Sequence, residues 1–406
     1  MGRNPGPTHG GIRARTLSLR AGVGLSLGRG VGLAGALAFS LALVLSGCER
    51  ADARASGDLA SGARVRAVLG ELGQSPGQFT YPRCLDVEPG GGALWVCDKT
   101  GRLQRIDAQT GAADIVLRMP KIEAGKPTGI TIAPALDGSG EPWIYIADTH
   151  EHRVLVIRAR APKDGPAVSL EGAMPEIVME FGTYGHGPGQ LVYPTDVALV
   201  PGENGVVRLY VSEYGGNDRI SVWESKAGGV PEFVTSWGSF GVVSAGDDTA
   251  GKVVFSRPQS IAVDAKAGEL FVADACNHRV VVLGLDGTLR RVLGTQGRAE
   301  EDGPGPARLM YPYGVALGGD GTILISEFGN GRVQRLDAQT GESRATVGRM
   351  GRARGEFAAP WAVVKLGDER AAVLDSGNSR VQIVDVPAES RRFAARGAVS
   401  GGEGAR

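Results

Sequence analysis

The chain is poor in the groups that carry most chemistry. In 406 residues it has four cysteines, five histidines and six methionines, and aromatics make up only 6%. So few histidines and cysteines leave little material for a dedicated zinc site. Gly-x-Ser-x-Gly occurs at 24–28 and 73–77, but neither stretch joins a strand pattern to a helix pattern as a nucleophile elbow does, and no histidine is placed to activate Ser260, so the pattern of nucleophilic hydrolases is missing. No glycine-rich segment opens a helix, which removes a phosphate-binding loop. Formal charge is zero. Residues 1–47 contain five arginines and no acid, so the remainder carries 39 basic against 44 acidic residues, a net of −5. That balance speaks against a nucleic-acid partner. Past residue 46 there is no apolar run long enough to span a bilayer.

What is abundant is glycine, 64 residues, falling at regular turn positions. With 42% apolar residues, this is the composition of a turn-dense all-β chain rather than a disordered one. Residues 257–287, RPQSIAVDAKAGELFVADACNHRVVVLGLDG, read as three strands: an alternating SIAVD, a turn with glycine, ELFVAD ending on Asp274, a second turn, and RVVVLGLDG. The same unit recurs from Tyr81, Lys126, Tyr193, Tyr311 and Ala359. Each copy opens on a proline (Pro82, Pro127, Pro194, Pro258, Pro312, Pro360). Each ends its second strand on an acid (Asp98, Asp148, Glu213, Asp274, Glu327, Asp375) and places an arginine soon after (Arg102, Arg153, Arg219, Arg279, Arg332, Arg380). Five of the connections contain one further strand, at 114–119, 176–182, 232–238, 288–294 and 343–348.

Asn277-His278-Arg279 completes a pattern that closely resembles the NHL repeat. The resemblance covers residues 64–386 and implies a six-bladed β-propeller with four strands per blade. The first copy departs most, with the shorter turn Lys99-Thr100-Gly101-Arg102. The sixth copy lacks its own fourth strand. Residues 64–70, RVRAVLG, match TLRRVLG of the fourth copy and are expected to close the ring; residues 390–397 are the rival for that role.

The repeated acids and arginines read as architecture. The acid is expected to accept backbone N–H bonds in the turn after it, and the arginine to tie neighbouring blades. His278 shares that reading. His150-Glu151-His152 gives two imidazoles in a turn, short of a zinc site.

The N-terminus reads as a targeting segment. Arginines precede a 16-residue apolar run, 31–46, that ends in Leu45-Ser46-Gly47-Cys48. This resembles the lipobox of bacterial lipoproteins. It implies a signal peptide over 1–47, lipidation of Cys48, a flexible tether over 48–63, and a place in the cell envelope, membrane-bound through lipid alone and facing the periplasm or exterior. Residues 387–406 read as a mostly disordered tail. In an oxidising compartment Cys84 and Cys97 face each other if Val87 pairs with Leu94, so a disulfide and a pair of buried thiols both remain open.

Candidate binding residues are those where the copies differ. The starts of the innermost strands bring Arg83, Asp196, Gln259, Tyr313 and Trp361 to the mouth of the central channel, and the turns after the second strands add Tyr214 and Phe328. Aromatics with a few polar groups suit a peptide, protein or carbohydrate ligand. Resemblance to NHL propellers implies a binding or scaffold module. The alternative is a metal-dependent hydrolase or lyase of the lactonase or peptidyl-amidating-lyase propeller type. Asp196 is the one carboxylate at the compared positions, too few for a Ca²⁺ ring, and no histidine stands where the lyases place theirs. The expectation is therefore no cofactor and no catalytic residue, with Asp196 the candidate ligand if Ca²⁺ binds.

Overall fold

A computed structural model describes residues 63–389, apart from 122–125, 162, 164–165, 227, 244–250 and 300–306. Alternating and continuous apolar runs fold into six four-stranded antiparallel sheets. Blade 1 is Cys84–Val87, Ala93–Cys97, Arg102–Asp107 and Ala113–Arg118. Blade 2 is Gly129–Pro134, Pro142–Asp148, Arg153–Arg158 and Ile177–Phe181. Blade 3 is Pro194–Pro201, Val206–Glu213, Arg219–Lys226 and Glu232–Trp237. Blade 4, Pro258–Asp264, Glu269–Asp274, Arg279–Gly284 and Leu289–Leu293, is the stretch from which the repeat was read. Blade 5 is Pro312–Gly319, Thr322–Glu327, Arg332–Asp337 and Ser343–Val347. The first strands of successive blades adjoin in a closed ring. Second and third strands are packed on both faces by neighbouring blades and are buried almost throughout, whereas the fourth strands Leu289–Leu293 and Ser343–Val347 alternate exposed and buried residues.

Blade 6 takes its first three strands, Pro360–Lys365, Arg370–Asp375 and Arg380–Asp385, from the C-terminal end and its fourth, Val65–Leu69, from the N-terminal end. Val65 pairs with Val384 and Leu69 with Val381. Arg66 clamps Asp385 with two bonds of 2.8 Å. The N-terminal strand thus satisfies an edge that would otherwise be open. The rival segment 390–397 lies outside the described residues, as do Cys48, the signal segment and the tail beyond 389.

The Asn-His-Arg turn divides its labour, and differently from the expectation. Arg279 pairs with Asp274 at 2.9 Å and donates to the Val254 carbonyl at 2.8 Å, in the loop arriving at its own blade. Asn277 bridges Asp274 and the Gly241 carbonyl of the same loop. The acid accepts from that loop as well, Asp274 from the Ser256 N–H at 2.6 Å and Asp375 from Ala358 at 2.7 Å. An acceptor bond within the following turn is made by Asp98, from the Thr100 N–H at 2.8 Å. These arginines therefore anchor the incoming loop, and the His position makes the tie to the next blade. His152 Nδ1 accepts the Tyr193 N–H at 3.2 Å and His278 Nδ1 that of Tyr311 at 3.0 Å. Asp218 does the same for Arg257 at 2.7 Å, and Ser379 for Tyr81 at 3.2 Å across the closure.

Those N–H groups belong to residues held in an unusual conformation. Tyr81, Tyr193, Arg257, Tyr311 and Ala359, each directly before a proline, have φ between 45° and 59°. Left-handed backbone is costly for a non-glycine residue, on the order of 1–3 kcal/mol. It turns the N–H toward the preceding blade and the side chain toward the channel face.

Candidate functional site

The first strands leave a central channel of about 330 Å³, lined among others by Arg83, Asp196, Gln259, Tyr313 and Trp361. Five of the seven predicted binding residues therefore line one cavity. The other two stand against that ring of side chains. Phe328 stacks on Tyr313 with ring centroids 4.5 Å apart, and Tyr214 stacks on Tyr193 at 5.3 Å.

Together these side chains form a band that visits all six blades. From blade 2, the His150 ring lies 5.6 Å from Tyr193. Tyr193 touches Tyr214, over which the Arg257 guanidinium sits at 5.0 Å. The same guanidinium is 5.3 Å from the Tyr313 ring. Tyr313 meets Trp361 edge-on at 5.1 Å, and Trp361 carries the Arg83 guanidinium at 5.4 Å and meets Tyr81 at 6.2 Å. Two cations are thus sandwiched among aromatic faces, the geometry of cation–π attraction. Among the described residues neither makes an ion pair. Arg257 Nε donates to Gln259 Oε1 at 3.1 Å, and Arg83 Nε is enclosed without a partner.

Two carboxyls lie in the channel, one more than expected. Asp196 Oδ2 accepts the Ile261 N–H at 3.0 Å and the Ser260 hydroxyl at 2.9 Å, and Oδ1 accepts the Val197 N–H at 2.9 Å. Asp86 Oδ2 accepts the Ile132 N–H at 2.7 Å. Each carboxyl joins its blade to the next. Thr131 does so between blades 2 and 3 by donating to the Val197 carbonyl. Burial raises Asp86 to about 6 and Asp196 to about 7, with the nearby Asp86 adding to the latter. Among the described residues no three His, Cys, Asp or Glu side chains gather as a metal cluster.

Cys84 and Cys97 are direct cross-strand partners, in the register that pairs Val87 with Leu94. Both are buried, free thiols, and burial pushes Cys84 well above the ordinary thiol range.

Sequence reasoning missed Arg257, Tyr81 and Asp86. Arg257 stands before Pro258 where three other copies have tyrosine, so the difference between copies was there to find. Asp86 escaped because it sits two residues further along its strand than the positions compared.

The outer rim of this face carries exposed apolar residues. Among the described residues, five loops entering a blade are closed by a short parallel bridge: Leu72 with Phe79, Thr183–Tyr184 with Gln190–Leu191, Ser239–Phe240 with Val254–Phe255, Thr295–Gln296 with Arg308–Leu309, and Met350 with Phe357. On the inner side Phe79, Leu191, Phe255, Leu309 and Phe357 are buried. The outer members Leu72, Tyr184, Phe240 and Met350 are each more than half exposed.

The NHL repeat family model matches residues 255–283. NHL repeat-containing protein 3 of mouse is 31% identical over 134 residues, 30% of this chain, and the human protein of that name is 28% identical over the same length. The match spans 37% of the length of these curated relatives. Among solved structures, a chain of the nidogen/laminin complex aligns with 69% of this chain and 91% of its own at 17% identity and a TM-score of 0.44. The PQQ-bound aldose sugar dehydrogenase of Streptomyces coelicolor aligns over 80% and 98% at 16% identity and a TM-score of 0.48. With the repeat read from sequence, matched by the family model and folded into six blades around one channel, the chain is a six-bladed β-propeller of NHL-type repeats.

Proposed function

We propose that this propeller is a binding module for a polypeptide partner, docked on the face that carries the channel mouth. The observation that carries this reading is the continuous band of aromatic rings and unpaired guanidiniums over the mouth, ringed by exposed apolar residues. Clustered aromatics and arginines are the side chains that dominate docking energy, and an exposed apolar rim on a single face marks an interaction surface. Protein interaction is also the common use of NHL propellers. The module needs no cofactor. The hydrolase or lyase alternative has less behind it: the oxygens of Asp196 and Asp86 are already engaged by backbone amides and the Ser260 hydroxyl, and among the described residues no cluster of metal ligands stands beside them.

In the same proposal the module is exported and held at a membrane surface through lipidated Cys48, with residues 49–63 as the tether. A Cys48→Ser chain would be expected to leave the membrane fraction for the soluble one.

The docking reading is tested by affinity capture from membranes with the full chain and with the rim variant Tyr184→Ser/Phe240→Ser. A specific partner retained by the wild type and lost from the rim variant, at unchanged melting temperature, supports it. Equal capture by both sinks it.

A further inference from the structure

Resting on that reading, the mouth of the channel also specifies what the partner must present. Buried polar atoms almost always find a hydrogen-bond partner, and exceptions call for an explanation. Three exceptions lie at residues lining this one cavity: Arg83 Nε, Gln259 Nε2 and Trp361 Nε1. Gln259 and Trp361 are only 2% and 7% exposed. All three atoms are donors. The acceptor that could have balanced them, Gln259 Oε1, is already taken by Arg257 Nε.

A hydroxyl-rich ligand such as a sugar both donates and accepts, and would look for acceptors here as well. A carboxylate only accepts, at about four lone-pair sites. The charge is complementary: among the described residues Arg83 and Arg257 make no ion pair, and both lie among the aromatic rings of the mouth. The carboxyl of Asp196 lies one residue further along its strand and that of Asp86 three residues further, about 10 Å at strand spacing. Both turn their oxygens to backbone N–H groups, and Asp196 also to the Ser260 hydroxyl. A cavity of about 330 Å³ has room for a side chain in place of several waters, each of which takes about 30 Å³ of liquid volume.

We propose that the channel mouth is a carboxylate site, which takes an acidic side chain or a chain-terminal carboxylate of the docked polypeptide. Arg83 and the Trp361 indole N–H supply donors from blades 1 and 6, Gln259 supplies one from blade 4, and Tyr313 forms the wall between them.

The test uses the purified full chain, ¹⁵N-labelled, and follows indole N–H resonances. Trp361 is identified by the signal lost in Trp361→Phe, which keeps a ring in the core; the other four tryptophans report that the fold is intact. The probes are N-acetyl-aspartate N-methylamide for a side-chain carboxylate and N-acetylglycine for a terminal one, each beside its neutral amide. The expected result is a shift of the Trp361 signal by at least one of the acids, with its amide needing at least about tenfold more to match it, as expected for a bond to a charged acceptor. Arg83→Met should abolish that preference. The stronger of the two acids identifies the source. Acids and amides acting alike, no shift with either acid, or an acid preference that survives Arg83→Met would overturn the proposal and leave the unpaired donors to ordered water. Failure here, with partner capture still lost in the rim variant, removes the carboxylate site and leaves the docking face standing.

Discussion

His278 reaches out of blade 4 and accepts, through Nδ1, the backbone N–H of Tyr311 at 3.0 Å. Tyr311 has φ 49°, and this bond is what turns its amide toward blade 4. His278→Ala removes the acceptor and leaves the left-handed residue unsupported. The expected loss is about 1–3 kcal/mol, read as a lower urea midpoint. An unchanged midpoint would mean that the strain is borne elsewhere. The imidazole must be neutral to accept, and burial lowers the affinity of His278 for its proton. A lowered histidine contributes stability above its unfolded value of about 6.5, and that contribution is lost as pH falls through the folded value. The variant should therefore be less sensitive than the wild type to acid below about pH 6.5.

Closure should be worth far more than the ion pair that decorates it. The Arg66 side chain is solvated, so Arg66→Ala is expected to leave the melting temperature almost unchanged. Deleting residues 64–70 takes away the whole strand and bares the edge Arg380–Asp385. A melting temperature lower by about 10 °C or more, with aggregation visible by light scattering, is expected. Near-equal melting curves for the deleted and intact chains would contradict closure.

Asp196 gives a pH signature. Its folded value, about 7, lies above the ordinary 3.8 because it is buried. The folded state then holds this proton longer than the unfolded one, and stability falls as pH rises from about 4 to about 7. Asp196→Asn cannot ionise, so the difference in unfolding free energy between about pH 5 and about pH 8 should shrink by roughly 1–4 kcal/mol. The amide also meets two N–H donors, so the slope with pH, not the absolute stability, is the quantity to compare.

Trp361 and Tyr313 serve the core as well as the mouth, packed in one cluster with Leu85, Leu374 and Ile383. Trp361→Ala is expected to destabilise by about 3–5 kcal/mol, so loss of binding in that variant would be ambiguous. Arg83→Met, which leaves both rings in place, should leave the melting temperature within a few degrees of wild type. A large fall would assign Arg83 to the frame.

Much of this architecture was legible because it repeats. Six prolines, six acids and six arginines at matched spacing give the blades. The likeness of residues 64–70 to those of the fourth blade gives the closure. The left-handed residues before five of the prolines were not legible, because what holds four of them, Tyr81, Tyr193, Arg257 and Tyr311, is an acceptor on another blade. For the same reason the tie between blades was expected of Arg279 and is made by His278: sequence shows that both recur, and only the packed ring shows which one reaches the next blade. At the mouth, Arg83, Gln259, Tyr313 and Trp361 were found by their difference from one another. Asp86 was passed over, since a two-residue offset along a strand leaves a side chain on the same face but outside the compared column.

Building one blade from both ends of the chain sets a clock on biogenesis. Arg66 and Asp385 are 319 residues apart. At a synthesis rate of about 5–20 residues per second, the strand Val65–Leu69 waits roughly 15–60 s for its partner. Throughout that interval five blades can exist while the ring cannot. A nascent chain in this state is an open crescent with an adhesive strand at its leading end, and its sharpest exposure to self-association comes before the last strand is made.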